Sequence, residues 1–150
     1  MHEEYIHRIE VHVAGICIDG DKVLVVKRTP SRRLYPNLWE CGGGQVESGE
    51  SFEDAIKRQL RDELGVIAEP IAFVRTYEIP TPNEQQKKIP GVKFICKVIG
   101  FVNGKEPVIS SEHTEWKWQP INDLGELKFI PGVDDDIRKA YQLSKQVHRE

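Results

Sequence analysis

The sequence predicts an α/β (α+β) chain in which a mixed β-sheet lies between helices, an α/β/α sandwich. Three observations carry this reading. Strand-like apolar patterns occupy residues 9–28 and 71–102, an amphipathic helical pattern over 51–64 separates them, and a second helical pattern, Val133 to His148, follows. Strands that are apolar on both faces need cover on both sides, and helices placed before and after them supply it. A chain of 150 residues is most simply one domain, 1–150, with one core from about residue 8 to 145.

The elements follow in order. Val11, Val13, Gly15 and Cys17 alternate with His12, Ala14, Ile16 and Ile18, and Val23 to Lys27 returns after Asp19-Gly20-Asp21, so residues 9–28 read as a hairpin. His12 in such a strand is a structural histidine. Arg28 to Asn37 is a loop by its prolines, and Arg28, Arg32 and Arg33 make it basic. These arginines suit the phosphates of an anionic substrate, with a solvated surface loop as the plain alternative. Arg28, at the strand end, is the best-placed phosphate ligand. Leu38-Trp39-Glu40 reads as a short strand delivering Gly42-Gly43-Gly44. Ile71 to Ile79 is a strand, Pro80 to Gly91 a polar loop long enough for a lid or rim, and Val92 to Val102 a strand ending at the Asn103-Gly104 turn. Trp116-Lys117-Trp118 alternates as a strand, Ile121 to Leu124 forms a helical turn, and Ile137, Ala140, Tyr141, Ser144 and Val147 face inward from the last helix.

Composition is that of an ordinary soluble protein, 39% hydrophobic and 30% charged. A net charge of −3 provides no general field for a nucleic-acid duplex. No apolar run reaches membrane-spanning length, and Met1 to Glu10 is too polar for a signal peptide, so the cytoplasm is the expected compartment. Cys17, Cys41 and Cys96 lack paired spacing and sit among apolar neighbours, as buried free thiols do. The sequence leaves the oligomeric state open, a homodimer included.

The stretch from Gly44 to Val66 holds the chemistry. Ser51 and Asp54 mark a helix start, Gly65 its stop, and Phe52, Ala55, Ile56, Leu60 and Leu64 line one face. Glu63 falls inside that apolar arc, with Gln59 at its edge and Asp62 beside it. A carboxylate there needs a cationic partner: a salt bridge to Arg58 or Arg61 on the plain reading, a metal on the functional one. The preceding glycine turn favours the second, because it lets backbone approach a phosphate or a hard divalent cation closely.

These residues resemble the MutT/Nudix hydrolases, whose motif reads G-x5-E-x7-R-E-U-x-E-E-x-G-U, with U a bulky aliphatic. Gly44, Glu50, Arg58, Leu60, Glu63, Gly65 and Val66 match in register. Gln59 and Asp62 stand where the family has glutamates, and Gly42 replaces a proline in the lead-in from Trp39. The resemblance implies the α/β/α sandwich and an Mg2+-dependent pyrophosphohydrolase, with Mn2+ as a substitute, acting on a nucleoside diphosphate linked to a group X. It implies a metal site of the Gly43 carbonyl, Asp62, Glu63 and Glu112, and a catalytic set of Glu112, Glu63 and Gln59. His113 and Glu115 are alternates to Glu112. Gly44, Glu50 and Arg58 are implied as support, and Asp134 as the reader of a purine-type base, with helix capping as its plain role. The foremost substrate expectation is a nucleoside triphosphate. An ADP-ribose-type pyrophosphatase is the alternative suggested by Pro82, and a nucleotide-binding or regulatory module the one suggested by Gln59.

Overall fold

The computed structural model describes residues 9–80 and 88–147. Its sheet is built around β1 (His12–Asp19). One edge of β1 pairs in parallel with β6 (Lys88–Phe101), from His12↔Gly91 to Cys17↔Cys96. The other edge is shared: His12 to Ala14 pair antiparallel with β4 (Gly43–Gln45), and Ile18 and Asp19 pair antiparallel with β2 (Lys22–Arg28). Between them the Gly15 N–H donates to the Gly42 carbonyl at 3.0 Å. β2 also pairs antiparallel with β3 (Trp39–Glu40) and β7 (His113–Pro120), and β5 (Val66–Pro80) pairs antiparallel with β6. The main path runs β3-β2-β1-β6-β5.

Helices cover both faces, as the two-sided apolar strands require. Val13, Cys17, Leu24 and Val26 pack with Ala55, Ile56, Leu60 and Leu64 of α1 (Phe52–Leu64). Their strand neighbours Ile16, Val23 and Val25 pack with Val133, Ile137 and Ala140 of α2 (Val133–Val147). Alternate residues of one strand thus serve two cores, each buried aliphatic side chain contributing about 1.5–3 kcal/mol. At Gly15 a Cβ would lie 3.0 Å from both Ile56 and Leu60, so α1 rests directly on β1. The Ser51 hydroxyl accepts from the Asp54 N–H at 3.0 Å, and Gly65 (φ 64°) ends α1 in the left-handed conformation.

Several elements differ from the sequence reading. β5 starts at Val66, immediately after the helix stop, and carries Pro70 at a register shift where a missing N–H is tolerated. Lys88 to Gly91, read as loop, pair with Tyr77 to Pro80. The remainder of the expected lid, residues 81–87 including Pro82, lies outside the described residues, as do the Val147 side chain and His148. Phe52, the first residue of α1, is 41% exposed, because the packed face begins one turn later at Ala55 and Ile56. Cys17, Cys41 and Cys96 are buried free thiols. Among the described residues no helix is long and apolar enough to cross a membrane.

Candidate active site

A cleft of about 810 Å³ opens beside the shared edge of β1. The glycine turn forms its floor. A Cβ on Gly43 would overlap the Val13 carbonyl and lie 2.7 Å from the Ala14 Cα, while one on Gly44 would come within 2.5 Å of the Gln59 amide. Only glycine lets the turn press against β1 and α1 together. Arg58 Nη2 and Gln59 Nε2 both donate to the Gln45 carbonyl, at 2.9 and 3.0 Å. Arg58 Nε and Nη2 also donate to the two Glu50 oxygens at 2.7 and 2.9 Å, and Glu50 accepts from the Glu47 N–H at 2.8 Å. The Arg58 bonds first, then the Glu47 N–H, hold the Glu50 carboxyl down at about 2. This pair ties the loop to the helix.

Glu63, on the last turn of α1, meets Glu112 from the segment before β7, and both line the cleft. Burial first, then the charge and hydrogen bond of Glu112, push the Glu63 carboxyl up to about 8. The Ser110 N–H donates to the Glu63 carbonyl at 2.9 Å, and the Thr29 N–H to the Glu112 carbonyl at 3.1 Å. Arg32 Nη1 lies 3.1 Å from Glu112 Oε2. Behind them Glu40 Oε2 accepts from Arg28 Nη1 and lies against His113 Nε2, each at 2.9 Å. Burial pushes the Glu40 carboxyl up, but the His113 bond and the charges of Arg28 and His113 outweigh it and hold it below its ordinary value. His113 Nδ1 is buried without a hydrogen-bond partner among the described residues.

The cleft gathers Arg28, Gly43, Gly44, Gln59, Glu63 and Glu112 from the sequence expectations. Three of those expectations need correction. Asp62 points outward, its side chain 60% exposed and 3.9 Å from Arg58, because one helical step turns it about 100° from Glu63. It is not gathered with Glu63 and Glu112. Arg28 reaches the cleft, but it is 8% exposed and spent on Glu40 and the Leu34 carbonyl, so it is a buried counter-ion rather than a free phosphate ligand. Asp134 is not a cleft residue: it pairs with Arg138 at 3.4 Å, and α2 already begins at Val133, so it does not cap either. One further half-turn brings Asp136 into the cleft instead. Of the alternates to Glu112, His113 is engaged with Glu40, and Glu115 lies 3.5 Å from Lys27.

Among the described residues no group of three or more acidic, histidine or cysteine side chains is arranged to hold a metal. The Glu63–Glu112 pair nonetheless fits a hard divalent cation. Its oxygens are the right donors, and burial first, then the Glu112 charge, hold the Glu63 carboxyl up, both of which a cation would offset. The sequence reading passed over Glu40, Arg75, Tyr77, Lys93 and Asp136 as site residues. A glutamate within a short apolar strand was the available signal for Glu40; the others come together only through strand pairing and the docking of α2.

The chain matches the NUDIX domain family across residues 7–142. It is 29% identical over 105 residues to the nucleoside triphosphatase NudI of Escherichia coli O139:H28, covering 67% of this chain and 74% of that protein. The MutT protein from Methanosarcina mazei Go1 superposes with a TM-score of 0.71 at 18% identity, over 95% of this chain and 99% of the other. An ADP-ribose pyrophosphatase from Streptococcus suis 89-1591 gives 0.68 at 18% identity, over 91% and 92%. At that identity the two structures speak to the fold, whereas the match over residues 7–142 speaks to descent: the chain belongs to the NUDIX domain family, whose members are pyrophosphatases, hydrolases of phosphorus-containing anhydrides.

Proposed function

We propose that this enzyme hydrolyses the diphosphate of a nucleoside triphosphate, or of another nucleoside diphosphate linked to a group X, with Mg2+ bound at Glu63 and Glu112 and Mn2+ as a substitute. The observation that carries the reading is the meeting of these two carboxylates in a cleft whose floor is a glycine turn. Sequence similarity to a nucleoside triphosphatase supports the first substrate.

A divalent cation there supplies neutralisation of the phosphate oxygens and a more acidic water. The side chains do the rest. Arg32 and Arg33, on the cleft wall, draw the polyphosphate in. Arg28 acts through Glu40, keeping that half-buried carboxylate ionised and in place. Glu112, the more exposed member of the pair, accepts at a carboxylate oxygen the proton of the attacking water. The water oxygen bonds to phosphorus, and the anhydride P–O bond breaks with its electrons passing to the leaving phosphate.

Phosphate or pyrophosphate release from a panel of nucleotides, with and without Mg2+, tests this. Glu63→Gln and Glu112→Gln are each expected to lower kcat by about 10²-fold or more with the circular dichroism spectrum unchanged. Wild-type turnover in EDTA, or in either variant, would overturn the assignment.

A further inference from the structure

A second polar cluster lies on the α2 side of the same cleft. Arg75 of β5 and Lys93 of β6 are cross-strand partners. Lys93 Nζ donates to Asp136 Oδ2 at 2.6 Å and Arg75 Nη1 to Asp136 Oδ1 at 3.0 Å, so one carboxylate on α2 serves two cations. Lys93 is 8% exposed and Asp136 4%. The Lys93 ammonium also lies 4.8 Å from the centre of the Tyr77 ring, which packs so closely over Gly91 that any Cβ there would enter it. Burial keeps Tyr77 a neutral phenol by raising its pKa. All four side chains line the cleft.

Hydrogen-bonding chemistry gives this cluster one sense. Lysine and arginine have donors and no acceptors, and each Asp136 oxygen already accepts from one of them, which leaves the cluster richer in donors than in free acceptors. Two cations against one anion leave a net positive charge. The cleft beside the cluster is walled by apolar Ile79, Ile130, Pro131 and Val133, which suit a planar ring better than a phosphate. The amino edge of adenine or cytosine would bring a donor to a wall dominated by donors, where the Tyr77 phenol and the partly occupied Asp136 oxygens are its acceptors, and would be met less well. The keto oxygen of guanine, thymine or uracil would be met.

We infer that Lys93 and Arg75, oriented by Asp136, are the specificity determinants of this site and select nucleotides whose base presents a keto oxygen in place of an amino group. This rests on the nucleotide reading above and adds the substrate class to it. Lys93 and Arg75 touch the base; Asp136 is a positioning residue.

The test is kcat/KM for dGTP, dATP, dTTP and dCTP with the Mg2+-loaded enzyme, beside calorimetric affinities for the same four nucleotides with Ca2+ in place of Mg2+. The wild type should favour dGTP over dATP and dTTP over dCTP by about tenfold or more. Lys93→Met should bring both ratios toward parity, and the half-exposed Arg75→Met, milder for folding, should lower them in the same direction. Ratios taken on one preparation do not change with its folded fraction, so a purely structural role would leave them unmoved. Preference for the amino bases, equal use of all four, or unchanged ratios in both variants overturns the inference while leaving the hydrolase reading intact. Keto-selective affinity without hydrolysis of any nucleotide has the reverse result: the inference stands and the hydrolase reading falls.

Discussion

Glu63→Gln should make the metal-free protein more stable, not less, above about pH 8. The unfolded chain releases the Glu63 proton near its ordinary value of 4.5, whereas the folded chain holds it up to about 8. Between those values the native state carries a proton that the unfolded state lacks, so stability falls as pH rises and the full penalty stands above about 8. The span from 4.5 to about 8 corresponds to ~5 kcal/mol at its limit. Glu63 keeps some contact with water, which screens the Glu112 charge, so the expected cost is nearer ~2–3 kcal/mol. Glutamine mimics the protonated acid and can donate to Glu112. For a chain of this size the gain is roughly 5–10 °C in Tm. Thermal and urea melts in EDTA across pH 5 to 9 measure it. The two proteins should agree near pH 5 and diverge with rising pH. Mg2+ should then stabilise the wild type and leave Glu63→Gln unmoved. If both lose stability in parallel up to pH 9, or if the variant is the weaker one in alkali, Glu63 is not the strained carboxylate of this site.

Other outcomes follow from the same contacts. Arg28→Ala removes one partner of a largely buried pair and leaves the half-buried Glu40 with His113 alone, so it should cost about 2–3 kcal/mol in urea unfolding, with loss of activity tracking loss of fold. Gly43→Ala should reduce the yield of folded protein on expression, since its Cβ has no room beside the Val13 carbonyl; Gly49→Ala, where nothing lies within 4 Å, is the control at another positive φ. Gln59→Glu should lower Tm in EDTA, because the amide that donates to the Gln45 carbonyl becomes an anion facing it. Added Mg2+ should recover part of that loss.

The fold class was legible because β1, β2 and the two helices carried local signals, whereas β4 and the outer ends of β5 and β6 did not. The two-sided apolar run of β1 and β2, the cap at Ser51 and the stop at Gly65 depend only on neighbours a few residues away. Register across strands does not. Arg75 and Lys93 are eighteen positions apart and become partners through the β5–β6 pairing, and Asp136 joins them only when α2 docks. The same limit explains Arg28. Its place at a strand end near other cations was visible, but not that Glu40 lay within reach of its guanidinium. Asp134 and Asp136 illustrate a finer limit. An acidic run at a helix start has equal capping potential at each position, and the helix phase decides which one turns toward the cleft.

Motif matching carries a helix's sequence positions but not the charge that this chain places in the cleft. Gln59 faces the cleft without charge, tied to the Gln45 carbonyl, and Asp62 turns its charge to solvent. Glu40 is charged, yet Arg28 and His113 answer it. Where α1 meets the segment before β7, Glu63 and Glu112 face each other without a buried cationic partner among the described residues, for the Arg32 bridge to Glu112 is half-exposed and therefore weak. A third carboxylate, from a glutamate at position 59, would deepen repulsion in the empty site and favour a second cation. On the proposed metal-dependent reading, the uncharged Gln59 therefore lowers the repulsion that Glu63 and Glu112 already carry.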